Sequence, residues 1–256
     1  MADFYNLLTN RQGRISFGGE NSDDYGMVVA EAPAFDKPTR KQNVFTVPGR
    51  NGAIVTQEDA WNDVVRSYKV WIDENITVGS GGSIISGSLP ERVAAIAQWL
   101  FSKKGYTRLE DNFEPDYFRL AYYSGGDNFS DELLQVGQAT LKFTCRPERF
   151  LKSGETELTV QNGDSITNPT KFTAKPLIYI VGSGDVTVSI AGKTITASVD
   201  DYIYIDCERM NAYRLASENK NSDISGDFPL LVPDANAVAT TGTITTLKIT
   251  PRYFVL

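Results

Sequence analysis

Between residues 88 and 105 the apolar positions fall three and four apart: Val93, Ile96, Ala97, Leu100 and Phe101. That spacing places them on one stripe of an α-helix. Ser88 and Glu91 form a capping box, Pro90 sits in the first turn, and Lys103 and Lys104 suit the negative end of the dipole. Gly105 supplies a left-handed stop, so the pattern predicts a helix over about 89–104. Trp99 falls at the border of the stripe. Elsewhere the period is two. In LLQVGQATLKFTCRPERF, Leu141, Phe143 and Cys145 share one face and Thr140, Lys142 and Thr144 the other, until Pro147 breaks the alternation. RISFGGENSDDYGMVV reads as strand, turn and strand, WNDVVRSYKVWI as a strand, and YTRLEDNFEPDYFRLAYY as strand, turn and strand.

After about residue 152 no helical stripe appears. Short strands alternate with Gly, Asn and Asp: TELTVQ, KPLIYIVGSG, DVTVSIAG, KTITAS, DYIYIDC, AYRL, FPLLVP, NAVAT and ITTLKITPRYFVL. This pattern predicts an antiparallel β-sandwich. The chain is therefore expected to be mainly β in two domains. Residues 1–151 form a β-sandwich or barrel with one helix, and residues 152–256 a second β-sandwich. GSGGS at Gly79–Ser83 reads as a flexible loop before the helix.

FTVPGRNGAIV raises the question of a phosphate loop. A phosphate loop of the GxxxxGK[ST] kind needs a lysine followed by Ser or Thr and then a helix; here a strand follows. Pro48, Gly49, Arg50, Asn51 and Gly52 are read instead as the tip of a β-hairpin, with Asn51-Gly52 as the turn pair. Arg50 at that tip is solvated or reaches a neighbouring subunit.

Composition narrows the chemistry. Among 256 residues there is no histidine, which removes Ser-His-Asp and Cys-His catalysis and the histidine-containing zinc sites. Two cysteines, Cys145 and Cys207, are too few for a four-thiolate site and read as buried free thiols. The net charge of −7 is spread over both halves, with no basic stripe to grip a phosphate backbone. The acidic groups Asp23-Asp24, Glu58-Asp59, Glu110-Asp111 with Glu114 and Asp116, and Asp200-Asp201 read as solvated turn carboxylates. Tyr179, Tyr202, Tyr204, Tyr213 and Tyr253 read as packing on the second sandwich, which lacks a tryptophan platform. No catalytic residue, cofactor or metal is expected, nor a membrane span or a signal peptide.

The pieces FGGENSDDYGMVV, VPGRNGAIV, LPERVAAIAQWLFSKKGYTRL, LLQVGQATLKFTCRPERF, TNPTKFTAKPLIYIVGSGDVTVSIAG and YIYIDCERMNAY, then SGDFPLLVPDANAV and TLKITPRYFVL, span nearly the whole chain. In this order they resemble the distal tail protein (Dit) family of long, non-contractile-tailed bacteriophages. The resemblance implies a tail-tube-like N-terminal domain and a galectin-like C-terminal domain. It implies a non-catalytic homohexameric ring at the distal end of the tail, in the virion, assembled in the host cytoplasm. The implied partners are the major tail-tube protein, a tail-associated lysin or tail-tip protein, the tape-measure protein and, in some phages, receptor-binding proteins, with DNA passing through without specific binding. Galectin sugar contacts are not carried over, because their His-x-Asn-x-Arg pattern needs a histidine. The rival readings are a cell-wall glycan-binding accessory module and a carboxylate glycosidase.

Overall fold

The computed structural model describes residues 13–34, 37–72, 88–123, 125, 137–215 and 218–256. The glycine-rich loop expected at residues 79–83 lies outside them. Among the described residues the chain is mainly β with one α-helix. It divides into two compact units, the first running to Arg149 with Leu256 and the second comprising Phe150–Val255.

The first unit holds β1 (Ile15–Phe17), β2 (Glu20–Asn21), β3 (Met27–Val29), β4 (Arg40–Thr46), β5 (Ala53–Trp61), β6 (Val64–Ile72), α1 (Leu89–Ser102), β7 (Thr107–Asp111), β8 (Tyr117–Tyr122) and the start of β9 (Gln138–Leu151). Seven of these strands lie side by side in the order β2-β1-β7-β8-β9-β6-β3. β6 and β9 pair from Val64 with Cys145 to Trp71 with Gln138. Their alternation sets the core: Tyr68, Val70, Leu141, Phe143 and Cys145 are buried, and α1 adds Val93, Ile96, Trp99 and Leu100 to the same cluster. The capping box forms as expected, with the Ser88 N–H donating to Glu91 Oε2 at 2.8 Å.

Four details differ from the sequence reading. Trp99 is not at a border. It is 2% exposed, stacks on Tyr25 at 4.9 Å, and its Nε1–H donates to the Phe17 carbonyl at 2.9 Å. Phe101, assigned to the stripe, is 55% exposed. The apolar arc of α1 is thus rotated toward Trp99, because β1 offers a carbonyl that the indole N–H needs once buried. Helix α1 ends at Ser102, since Lys103 is already extended (φ −83°, ψ 129°). Pro147 does not end β9. Pairing with β6 stops at Cys145, so the missing proline N–H removes no bond to β6.

The second unit holds β10 (Leu158–Thr159), β11 (Ser165–Asn168), β12 (Leu177–Ile190), β13 (Lys193–Asp206), β14 (Asn211–Arg214), β15 (Glu218–Asn219), β16 (Ile224–Gly226), β17 (Asp234–Thr250) and β18 (Phe254–Val255). Six apparent short strands are three long ones, β12, β13 and β17, that pass through the expected turns. The glycines mark bends. Gly184 and Gly242 have φ of +74° and +89°. A Cβ on Gly182 would lie 2.3 Å from the Thr243 carbonyl oxygen. The β12–β17 register shifts beside these glycines. The inward parity survives the bend, so Ile178 and Ile180 on one side and Val186, Val188 and Ile190 on the other enter one core. A single antiparallel sheet therefore curls over its own apolar face.

Buried polar groups tie its ends. Asn168 donates to the Phe172 and Leu231 carbonyls, both at 2.9 Å. Asp206, its side chain 3% exposed, accepts from Arg252 at 2.7 and 3.2 Å and from the N–H groups of Glu208 and Arg209. Burial alone would raise this carboxyl, but Arg252 and the two N–H groups outweigh it and hold it below its ordinary 3.8.

Two outcomes follow from this packing. Trp99→Ala is expected to cost about 3–5 kcal/mol, whereas Phe101→Ala costs under about 1 kcal/mol, read by urea denaturation. A depressed folded pKa gives stability that is present above 3.8 and lost as pH falls below it toward the folded value. Asp206→Asn should therefore flatten part of the acid slope of unfolding free energy in that window.

Candidate interaction surface

β4 and β5 form a two-stranded sheet that pairs with no other described strand. Their turn is built three residues earlier than the sequence suggests. The Arg50 N–H donates to the Val47 carbonyl at 3.2 Å, around Pro48 and Gly49 with Gly49 at φ +77°. Proline at the second position and a positive-φ glycine at the third are the signature of a type II turn. Asn51 does not take positive φ, and Gly52 does, at +80°. Pro48, Gly49, Arg50, Asn51 and Gly52 are thus brought together at the tip, and all five are exposed.

The register fixes what each face carries. Val44 pairs with Val55 and Thr46 with Ala53 on one face. Phe45 pairs with Ile54 and Asn43 with Thr56 on the other, because directly paired residues point the same way and neighbours along a strand point oppositely. Val44, Phe45, Ile54 and Val55 are 56, 57, 40 and 49% exposed. Both faces of the ribbon therefore present large apolar side chains. At its base the Arg40 guanidinium lies 4.5 Å from the Trp61 ring centroid.

The acidic groups scatter. Asp23 pairs with Arg14, Asp59 lies 3.6 Å from Arg40, Glu110 pairs with Arg108, and Asp201 pairs with Arg214. Two of them contradict the reading as solvated turn carboxylates. Asp111 and Glu114 are buried with Arg66, Arg119 and Arg149, with Arg66 Nη2 at 3.1 and 2.8 Å from the two carboxylates. The Tyr68 hydroxyl donates to Asp111 at 2.7 Å, and burial together with that carboxylate pushes the phenol well above its usual range. The sequence did carry a signal: Arg66 stands in phase with inward Val64, Tyr68 and Val70. An inward arginine implies an inward acid.

In the second unit Tyr179, Tyr204 and Tyr213 pack ring on ring across β12, β13 and β14, with centroids 4.6 and 5.4 Å apart. Arg214 covers Tyr202 at 5.0 Å. Tyr253 is buried, its hydroxyl donating to the Thr167 carbonyl at 2.9 Å. Cys145 and Cys207 are free and buried, and burial pushes their thiols up to about 11 and about 12. Among the described residues no group of three or more Cys, Asp or Glu is placed to hold a metal ion, and no helix is long and apolar enough to cross a membrane.

By sequence, no family model and no curated protein matches the chain. By structure it is similar to the crystal structure of the SPP1 Dit (gp 19.1) protein, described as a paradigm of the hub adsorption apparatus in phages infecting Gram-positive bacteria. The likeness has a TM-score of 0.69 at 15% identity and covers 95% of this chain and 99% of that one. The chain therefore shares its fold with that phage hub protein, over both units.

Arg66→Met, which leaves Asp111 and Glu114 buried with one cation fewer, is expected to cost about 3–5 kcal/mol. Chemical denaturation checks it.

Proposed function

We propose that this chain is a structural subunit of a phage tail hub, a member of the Dit family, in which six copies form a ring at the distal end of the tail tube. The observation that carries the reading is the fold likeness to a hub protein across nearly the full length of both chains. Fold alone does not give function, so the exposed hairpin is the second support. An acidic chain without histidine that displays apolar side chains on a separate ribbon has the character of an assembly part. In this reading the first unit, tail-tube-like, makes the ring, and the tip from Pro48 to Gly52 reaches the neighbouring copy. The second unit, galectin-like in fold, docks other tail proteins and has no catalytic task. The tube protein joins one side of the ring, and a lysin or tail-tip protein the other. The tape-measure protein and then DNA pass through the centre, and receptor-binding proteins join the outside in some phages. Six copies at −7 carry a formal −42. Acidic groups lining the channel would repel a DNA backbone and let it slide.

Light scattering during size exclusion, with images of the peak, is expected to give six copies or a multiple as rings with an open centre. A monomer at every concentration overturns self-assembly into a ring. Arg50→Asp, which reverses the charge at the tip, is expected to shift the mass toward smaller species at equal concentration. An unchanged mass removes the tip from the contact.

A further inference from the structure

The hairpin raises a geometric problem that a simple ring contact does not solve. A single neighbouring surface covers one face of a two-stranded ribbon. Here both faces carry an apolar cross-strand pair, and Val44, Phe45, Ile54 and Val55 are each at least 40% exposed. The two faces also differ in relief. One is low, made by Val44, Val55, Thr46 and Ala53, and the other carries the larger Phe45 and Ile54 between Asn43 and Thr56.

We infer that the hairpins of successive copies stack on one another, the Phe45/Ile54 face of one copy seated on the Val44/Val55 face of the next. This rests on the ring reading above and deepens it by naming the occupant of each face. Three observations favour a second copy of this chain. The bulky face and the low face fit as knob and seat, and side chains of unequal size interdigitate better than two bulky faces. The contact is head-to-tail, since each copy offers one of each face, and such heterologous contacts are the kind that close into rings. Between Val44 and Val55 the single charged residue is Arg50, at the turn. The apolar pairs themselves therefore carry no charge to be desolvated, and Glu58, which accepts from the Asn43 amide at 3.5 Å, marks the polar end of the bulky face.

A heterologous contact makes a distinctive prediction for blocked faces. Val44→Lys blocks the low face and Phe45→Lys blocks the bulky face. Both positions are exposed in the single chain, so at a dilution where wild type is itself monomeric, urea midpoints equal to wild type are expected and report that each variant folds. Each variant alone is expected to be monomeric by light scattering at concentrations where wild type forms rings. An equimolar mixture is expected to give a species of two chains and no larger, twice the 28.2 kDa of one, because only one pair of intact faces can meet. Rings from either variant alone, as when another tail protein covers that face, overturn the stacking. So does a mixture that stays monomeric. Wild type that never assembles overturns the ring reading itself, which separates the two failures.

Discussion

A sheet must hide its apolar surface, and a ribbon of two strands has two faces to hide and no body of its own to hide them on. The hairpin β4–β5 states this constraint in its sequence. Buried strands that cover one face alternate, as β9 does with Leu141, Phe143 and Cys145 set against Thr140, Lys142 and Thr144. The hairpin does not alternate. Val44-Phe45 and Ile54-Val55 are consecutive apolar pairs, the pattern of a strand covered on both sides. Within the single chain those residues are exposed. In the proposed ring other chains supply that cover, and the rest of the first unit is the support that holds this ribbon in place.

That support is stiff for identifiable reasons. Arg66 sits on the inward side of β6, where its neighbours along the strand are apolar, and an unpaired guanidinium there would cost several kcal/mol. The carboxylates of Asp111 and Glu114, at the β7–β8 turn, meet it, and the Tyr68 hydroxyl closes the group. The Asp111 Oδ1 also accepts the N–H groups of Phe113 and Glu114 at 3.0 and 2.9 Å, so the turn and the ion group define each other. A turn of this kind is set by the interior and not by solvent. Local composition therefore points the wrong way for its acids: Glu-Asp beside Asn and Pro looks like a wet loop unless the arginine in phase with the core is read together with it.

The same distinction separates what was readable from what was not. The capping box at Ser88 and Glu91 was readable because its chemistry is local, and so was the parity of β9. Trp99 was not, because its place depends on the Phe17 carbonyl, 82 residues away in sequence. Local chemistry does not separate the turn at Pro48-Gly49 from one at Asn51-Gly52, since both pairs carry turn chemistry and only the hydrogen bond from Arg50 to Val47 decides between them. Local pattern cuts the long strands β12 and β17 in two at glycines, and β13 at Val199-Asp200, beside Asp201 at φ +77°. A glycine that permits a bend and one that permits a turn look alike, and what distinguishes Gly182 is the carbonyl of Thr243 beside it on another strand. The tip residues Pro48 to Gly52 fall together in any hairpin, because five adjacent positions need no tertiary information.

Sharing a fold at 15% identity follows from the same physics. What the fold demands is parity along strands, room for backbone at a few bends, one capped helix with an inward arc, and a partner for each buried charge. Many sequences meet those demands, so identity decays while order and spacing persist. An interface between copies is under a different demand. It must fit its own partner and reject others, and it can change as long as both sides change together. In a head-to-tail stack both sides belong to one chain, four residues on two adjacent strands, so a change in Phe45 or Ile54 can be answered by Val44 or Val55 without involving any other protein. A hairpin that seats on itself can therefore drift in sequence while the ring it builds keeps its form.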